Sequence, residues 1–410
     1  MSGEFLFVKE DAISRGVLTS SSEHSEYPPS EAGNTHQDEP FRWEEPDTNC
    51  WLKVDLDLFK GEGGFEDWAD DLPVDWIVDD QAGTVEQEQT IVDSGSSALK
   101  INGLKKVYRD FIVTPGKKYR LDFAMRGDGT YYAYCFIQDL STLKFLNTSQ
   151  VWVDSYTSTG ERIVASYTDY TRTFTIEDSG LGYRRHSTVL RVSCERINSS
   201  GYGYFDSFSL IPEVNFSSVH AHNIPIGATL KHQYDDTGSF SGGETDAATF
   251  TIYPRSFHKT FTEVLARYHR LLLAEETGYT PYIGEWVSGH YHTLGVSYQW
   301  DWRHTREMPQ SRIVTPTGKI VAFNRASDPS RSIGISVLAT SELDKEQVVE
   351  DMFAGGGWGK IPITVVPDTN ERHVFLSRVT NVFEHLTHEG EIWEYAVILT
   401  EDPFPVEFNF

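Results

Sequence analysis

Short apolar runs rich in aromatic and β-branched residues recur along the chain, separated by Gly, Pro, Asn and Asp. Runs at 119–125, 131–138, 189–193, 205–211, 320–323, 333–338 and 392–399 read as strands, because such side chains suit a pleated, half-buried surface. Thr114-Pro115-Gly116-Lys117 and Arg126-Gly127-Asp128-Gly129 supply turns between them. In Tyr119-Arg120-Leu121-Asp122-Phe123-Ala124-Met125 large apolar side chains alternate with polar or small ones, the period of a sheet buried on one face. In the next run Tyr132, Tyr134 and Phe136 share one face, opposite Tyr131, Ala133 and Cys135, and the pattern leaves open which face is core. The pattern predicts an all-β protein with few helices.

One helix is predicted, over 341–353. Ser341-Glu342-Leu343-Asp344 resembles a capping box with Asp in the acidic position, Leu343, Val348, Met352 and Phe353 form an apolar stripe, and Gly355-Gly356-Gly357 ends it. A second segment carries both signals. Phe261, Val264, Leu265, Tyr268, Leu271 and Leu272 fit a helical period, whereas 266–273 also reads as a strand.

A length of 410 residues suggests two to four domains, and the 39% hydrophobic and 13% aromatic content supplies their cores. With 35 Lys and Arg against 61 Asp and Glu, the net charge is −26, which excludes nucleic acid and an anionic membrane surface as partners. No apolar run approaches the roughly 20 residues that cross a bilayer. Met1-Ser2-Gly3-Glu4-Phe5 has no basic or apolar leader character, so Sec export is not indicated. Cys50, Cys135 and Cys194 are odd in number and widely spaced, which favours reduced, packed thiols over a disulfide framework.

Three stretches carry family resemblances. Gly63-Gly64-Phe65-Glu66-Asp67-Trp68 with Asp75-Trp76, then Asp93-Ser94-Gly95-Ser96-Ser97-Ala98-Leu99-Lys100, then Tyr204-Phe205-Asp206-Ser207-Phe208-Ser209-Leu210 resemble, in order, a jelly-roll carbohydrate-binding module. The resemblance implies two packed antiparallel sheets over 59–212 and a structural calcium ion held by Glu66 and Asp206 with backbone carbonyls. It also implies sugar rings stacked on aromatic side chains. The candidates are Trp68, Trp76, Tyr132, Tyr134 and Trp152, with Arg126 as a hydrogen-bonding partner.

The second resemblance is split. Gly16-Val17-Leu18-Thr19-Ser20-Ser21-Ser22-Glu23-His24 through Tyr27-Pro28, with Trp51-Leu52-Lys53-Val54-Asp55-Leu56, is similar to the opening of discoidin-like, galactose-binding-type domains. Its continuation appears only at His222-Asn223-Ile224-Pro225-Ile226-Gly227-Ala228, Ala266-Arg267-Tyr268-His269-Arg270-Leu271 and Ile283-Gly284-Glu285. The resemblance implies a discontinuous β-sandwich over 1–58 and 213–307 with the module inserted, and it decides 266–273 as strand. Insertions of this kind go into exposed loops whose ends lie close together. Third, strand runs at 319–322 and 331–340, the helix 341–353, then 359–368, 374–379 and 393–399, make 318–410 resemble a small tail-type β-barrel of tailed bacteriophages, which implies a C-terminal domain over 308–410.

The chemistry-bearing clusters add little. His220-Ala221-His222 and His290-Tyr291-His292 each place two imidazoles on one strand face, but no zinc spacing is met, and they read as solvated or turn residues. Gly355-Gly356-Gly357-Trp358-Gly359-Lys360 departs from a phosphate loop, with Ala354 and Ile361 at defining positions. Carboxylate pairs such as Asp70/Asp71 are inevitable among 61 acids, and no nucleophile elbow is present.

The expectation is a non-enzymatic tail or tail-tip protein of a bacteriophage virion, assembled in the host cytoplasm. Its partners would be other tail proteins, further copies of itself in a ring, and a host-surface glycan. Two alternatives stand beside it: a polysaccharide-degrading enzyme rich in accessory domains, and a cellular discoidin-type adhesin.

Overall fold

The computed structural model describes residues 6–22, 28–33, 41–42, 49–177, 187–197, 199–274, 280–293, 303–307, 310–314, 320–324, 330–339, 363–367, 370–386 and 393–401. Within them the regular structure is antiparallel strand with three short 3-10 turns, as the all-β pattern predicts. The expected helix at 341–353 and the glycine run after it lie outside the described residues. The chain forms two compact units, Asp57–Glu213 and Met1–Leu56 with Val214–Phe410.

The inserted unit is a sandwich of two sheets. One runs in the order Trp152–Val153, Lys144–Leu146, Ala133–Asp139, Thr188–Glu195, Lys106–Val113, Ile77–Val78, with Gly160–Arg162 also paired to Ala133–Asp139. The other runs Thr168–Thr175, Lys118–Arg126, Tyr202–Pro212, Ala98–Gly103, Gly83–Glu88. The alternation in 119–125 is realised: Tyr119, Leu121, Phe123 and Met125 are buried, whereas Arg120 and Asp122 are partly exposed and ion-paired. Their partners from the facing sheet are Ala133, Cys135, Ile137, Leu190, Val192 and Cys194. The ends of the unit are clasped together. Asp57, 2% exposed, accepts from the backbone N–H groups of Phe59 and Leu210, each at 3.0 Å, and Leu58 N donates to Leu210 O.

In the flanking unit a sheet ordered Val17–Ser20, Asn49–Asp55, Tyr268–Ala274, Thr229–Asp235, Thr245–Thr249 packs its apolar side against a larger sheet. The larger sheet contains Ser256–Val264, Val214–His222 and Tyr282–Thr293 side by side. Leu6–Asp11 then bridges Tyr282–Thr293 to Ile363–Val366, through which the C-terminal strands join the same sheet. The ambiguous segment is strand at Ser256–Val264 and Tyr268–Ala274. Its helical period yields because Tyr268–Ala274 pairs on both edges and alternates strictly, with His269, Leu271 and Leu273 inside. Cys50, Cys135 and Cys194 are free and buried.

Candidate functional site

Register decides the face that the sequence left open. In strand Ala133–Asp139 the residues Ala133, Cys135 and Ile137 are fully buried in the core, so Tyr134, Phe136 and Gln138 lie on the outer face, where Phe136, 2% exposed, is itself covered by Tyr156 and Phe145. The antiparallel pairings then set three cross-strand rows on the outer face: Lys106, Glu195, Tyr134; Tyr108, Ser193, Phe136; and Asp110, Arg191, Gln138. Tyr132, 38% exposed, extends the aromatic line, its ring 5.8 Å from Tyr134, which in turn lies 6.2 Å from Phe136. Tyr156 stacks on Phe136 at 4.5 Å and keeps 55% of its surface open.

The polar groups between these rings are held. Glu195 is buried and accepts from Ser193 Oγ (2.8 Å) and from the Tyr156 hydroxyl, and pairs with Lys106 Nζ (2.8 Å). Arg191 forks onto Asp110 at 2.7 and 2.8 Å while its guanidinium lies 3.9 Å from the Tyr108 ring centre. Burial, then the neighbouring Glu161, pushes the Tyr134 phenol up, and burial with the Glu195 bond does the same more strongly for Tyr156. Both remain neutral hydrogen-bonding hydroxyls across the physiological range. The face therefore offers the partly open rings of Tyr132, Tyr134 and Tyr156 between polar groups, and its Lys106 and Arg191 are already neutralised by carboxylates.

The candidates named from the sequence are scattered across the unit. Tyr132 and Tyr134 are brought together on this face. Trp76 is corrected to a core residue. At 7% exposure its ring packs on Phe59, Phe65 and Phe208 at the clasped end, and no face is open to a sugar. Trp68 is half-buried against the same core and donates Nε1–H to Phe65 O. Arg126 lies on the other sheet, its guanidinium 5.0 Å from the Tyr204 ring, and Trp152 lies at the sandwich edge. Arg191, Asp110, Glu195 and Tyr156 were missed. Their only signal is pairing across residues far apart in sequence, such as Asp110 with Arg191.

Glu66 and Asp206 reach the same loop but do not fit a calcium ion. Calcium asks for six to eight oxygens. Here Asp206 accepts from the backbone N–H groups of Asp93, Ser94 and Ser207, and Glu66 accepts from those of Ser96 and Ser97. Their carboxylate oxygens face N–H donors, which would oppose a cation, and among the described residues no three His, Cys, Asp or Glu side chains cluster. The two residues act as clamps on 93–97. Asp206 is buried, and desolvation lifts its carboxyl to about 6 against the pull of those N–H bonds.

The histidine expectation is also corrected. His220 and His222 are buried, because Val214–His222 is an interior strand flanked by two others. His222 Nε2–H donates to Tyr253 O and its Nδ1 accepts from Ile224 N.

No family model matches the sequence, and no curated protein matches it. Solved structures similar to part of the chain include a xylan-binding family 22 carbohydrate-binding module from Paenibacillus barcinonensis, 10% identical, with a TM-score of 0.26 over 36% of this chain and 90% of the module. A cyclase from Fischerella sp. TAU is 13% identical, with a TM-score of 0.27 over 37% of this chain and 93% of the cyclase. The enzymatically active domain of a bacteriophage CBA120 tailspike protein is 11% identical, with a TM-score of 0.24 over 33% of this chain and 19% of that one. None of these similarities is high enough to carry a function across.

Proposed function

We propose that this is a non-enzymatic glycan-binding protein of a bacteriophage tail, which contacts neutral host-surface saccharides through the outer face of the inserted sandwich. The observation that carries the reading is the open rings Tyr132, Tyr134 and Tyr156, seated on the buried Phe136 and set beside the paired Lys106/Glu195 and Arg191/Asp110. Aromatic faces take the apolar faces of pyranose rings, and the flanking polar groups address their hydroxyls. Pairing of Lys106 and Arg191 with carboxylates, with Glu161 beside Tyr134, lowers the pull of this face on an acidic sugar. The net charge of −26 acts in the same sense at longer range.

Tail location rests on the sequence resemblances of the flanking and C-terminal segments. In that setting other tail proteins and further copies of the chain are its partners. Copies held in a ring would raise a millimolar single-site affinity by about 10²–10⁴ through avidity. The test is the full chain on an array of neutral and acidic glycans, with Tyr134→Ala alongside. Binding to neutral glycans that falls about 30-fold in the variant is the expected result. Equal binding by both proteins, or none by either, would remove the reading.

A further inference from the structure

The inserted unit has a cleft that the aromatic face does not include. Trp152 lies opposite Leu146, which is fully buried, so it points to the core side of its sheet, away from Tyr134. At the open edge of the sandwich it meets strand Thr168–Thr175 of the facing sheet. The indole Nε1–H donates to Thr175 O at 2.8 Å, and the ring meets Phe174 edge-on at 5.8 Å. The turn that presents it is fixed by Asn147, whose Oδ1 accepts from Ser149 N and Val151 N at 2.9 and 3.0 Å. Gln150, in the left-handed region at φ 62°, sends Oε1 across to Thr173 N at 2.9 Å. Beside this bridge a cleft of about 400 Å³ opens, lined by Lys118, Gln150, Val151, Trp152, Thr173 and Glu177.

We propose that this edge cleft is a second saccharide site, which takes a neutral pyranose end group against the Trp152 indole. It rests on the reading that the protein binds glycans. The volume lies within the roughly 300–1,000 Å³ of small-ligand clefts. A ring already held by its own hydrogen bond and by Phe174 loses little freedom when a sugar stacks on it. Glu177, which pairs with Lys144 at 2.7 Å through Oε2, brings its second carboxylate oxygen to the lining as an acceptor for hydroxyls, with Lys118 on the same wall. Because Tyr134 and Trp152 face opposite sides of one sheet, the two sites engage separate sugar units, and one copy of the protein joins two glycan chains.

The test uses the full chain labelled with 5-fluorotryptophan and read by fluorine NMR. The Trp152 line is identified with Trp152→Phe, or, failing a folded variant, as the line that Val151→Arg displaces. The probes are the methyl glycosides of glucose, galactose and mannose, taken to about tenfold above a millimolar Kd. The Trp152 line is expected to shift saturably in the unsubstituted protein and in Tyr134→Ala. It is expected not to shift in Val151→Arg, which fills the cleft from a position 54% exposed. No shift with any glycoside, a shift lost in Tyr134→Ala, or a shift that survives Val151→Arg would each overturn the edge site. A Trp152 response in a protein whose array binding is indifferent to Tyr134→Ala would support the edge site and count against the aromatic face alone.

Discussion

The two units are both antiparallel sandwiches, yet they bury different kinds of titratable side chain. The flanking unit buries imidazoles: His220, His222, His232, His258 and His269 are all at most 4% exposed. His269 Nε2–H donates to Ala266 O, so its Nδ1 accepts from His232 Nε2–H at 2.9 Å, and both rings are neutral. The inserted unit instead buries carboxylates and cations, Asp57, Asp139, Asp206, Lys117 and Arg196 among them, and sets further charges in paired rows on the outer face of a sheet. Interior imidazoles make a unit sensitive to acid. Exterior paired charges leave stability nearly untouched and shape what the surface can bind.

Acid should break the comparison most strongly. Burial lowers His222 and His269 to about 4 from 6.5. Above pH 6.5 both are neutral folded or unfolded and contribute nothing. Below it the unfolded chain takes up protons that the folded unit refuses, so stability falls through that window by about 1.4 kcal/mol per pH unit per group. At pH 5 that is about 2 kcal/mol for each of the two. Asp206 runs the other way. Its raised value of about 6 makes its contribution full in acid and lost as pH rises through 6, so the inserted unit does not share the weakness. Hydrogen exchange at pH 7 and pH 5 should show strands 214–222 and 268–274 losing protection while 118–126 and 202–212 keep theirs. Equal loss in both units would undo the contrast.

A substitution confined to one unit comes next. A Cβ at Gly63 would lie 1.8 Å from Phe208 O, so Gly63→Ala should destabilise the inserted unit by about 3 kcal/mol, seen as a lower first melting transition. Tyr134→Ala should cost about 2 kcal/mol of glycan binding and leave both melting transitions in place, which separates display from stability. The smallest effect should come from Asp110→Asn. Losing this surface pair should cost at most about 1 kcal/mol of stability in denaturant unfolding. Because it leaves Arg191 without its carboxylate, the variant should gain binding to uronic-acid polysaccharides on the same array.

The sequence made the strands legible because alternation is local, as in 119–125, where every odd position is buried. It could not say which side of 131–138 faces inward. That depends on the opposing sheet, whose Phe123, Met125 and Phe205 share one core with Ala133, Cys135 and Ile137. Trp76 carried the chemistry of a sugar platform, but the aromatic cluster at the clasped end claimed it. The ion-paired rows were invisible because they exist only once register is set. The histidines misled because a polar residue on an edge strand and one on an interior strand look alike until the neighbouring strands are known.

The Asp57 clasp has a bearing on how the chain folds. Strand Asn49–Asp55 pairs on one edge with the nearby Val17–Ser20 but on the other with the distant Tyr268–Ala274, and Asp55 reaches Arg267 across 212 residues of sequence. Were the intervening chain random, closing that loop would be entropically slow and costly. With its two ends bonded at Leu58 and Leu210, a folded insert shortens the effective loop roughly threefold, lowering the closure cost by about 1 kcal/mol. Synthesis from the N-terminus completes the insert before residues beyond 213 emerge, so it is placed to act as an internal folding template. A lesion in the insert such as Gly63→Ala would then delay the flanking unit, although no flanking residue has changed.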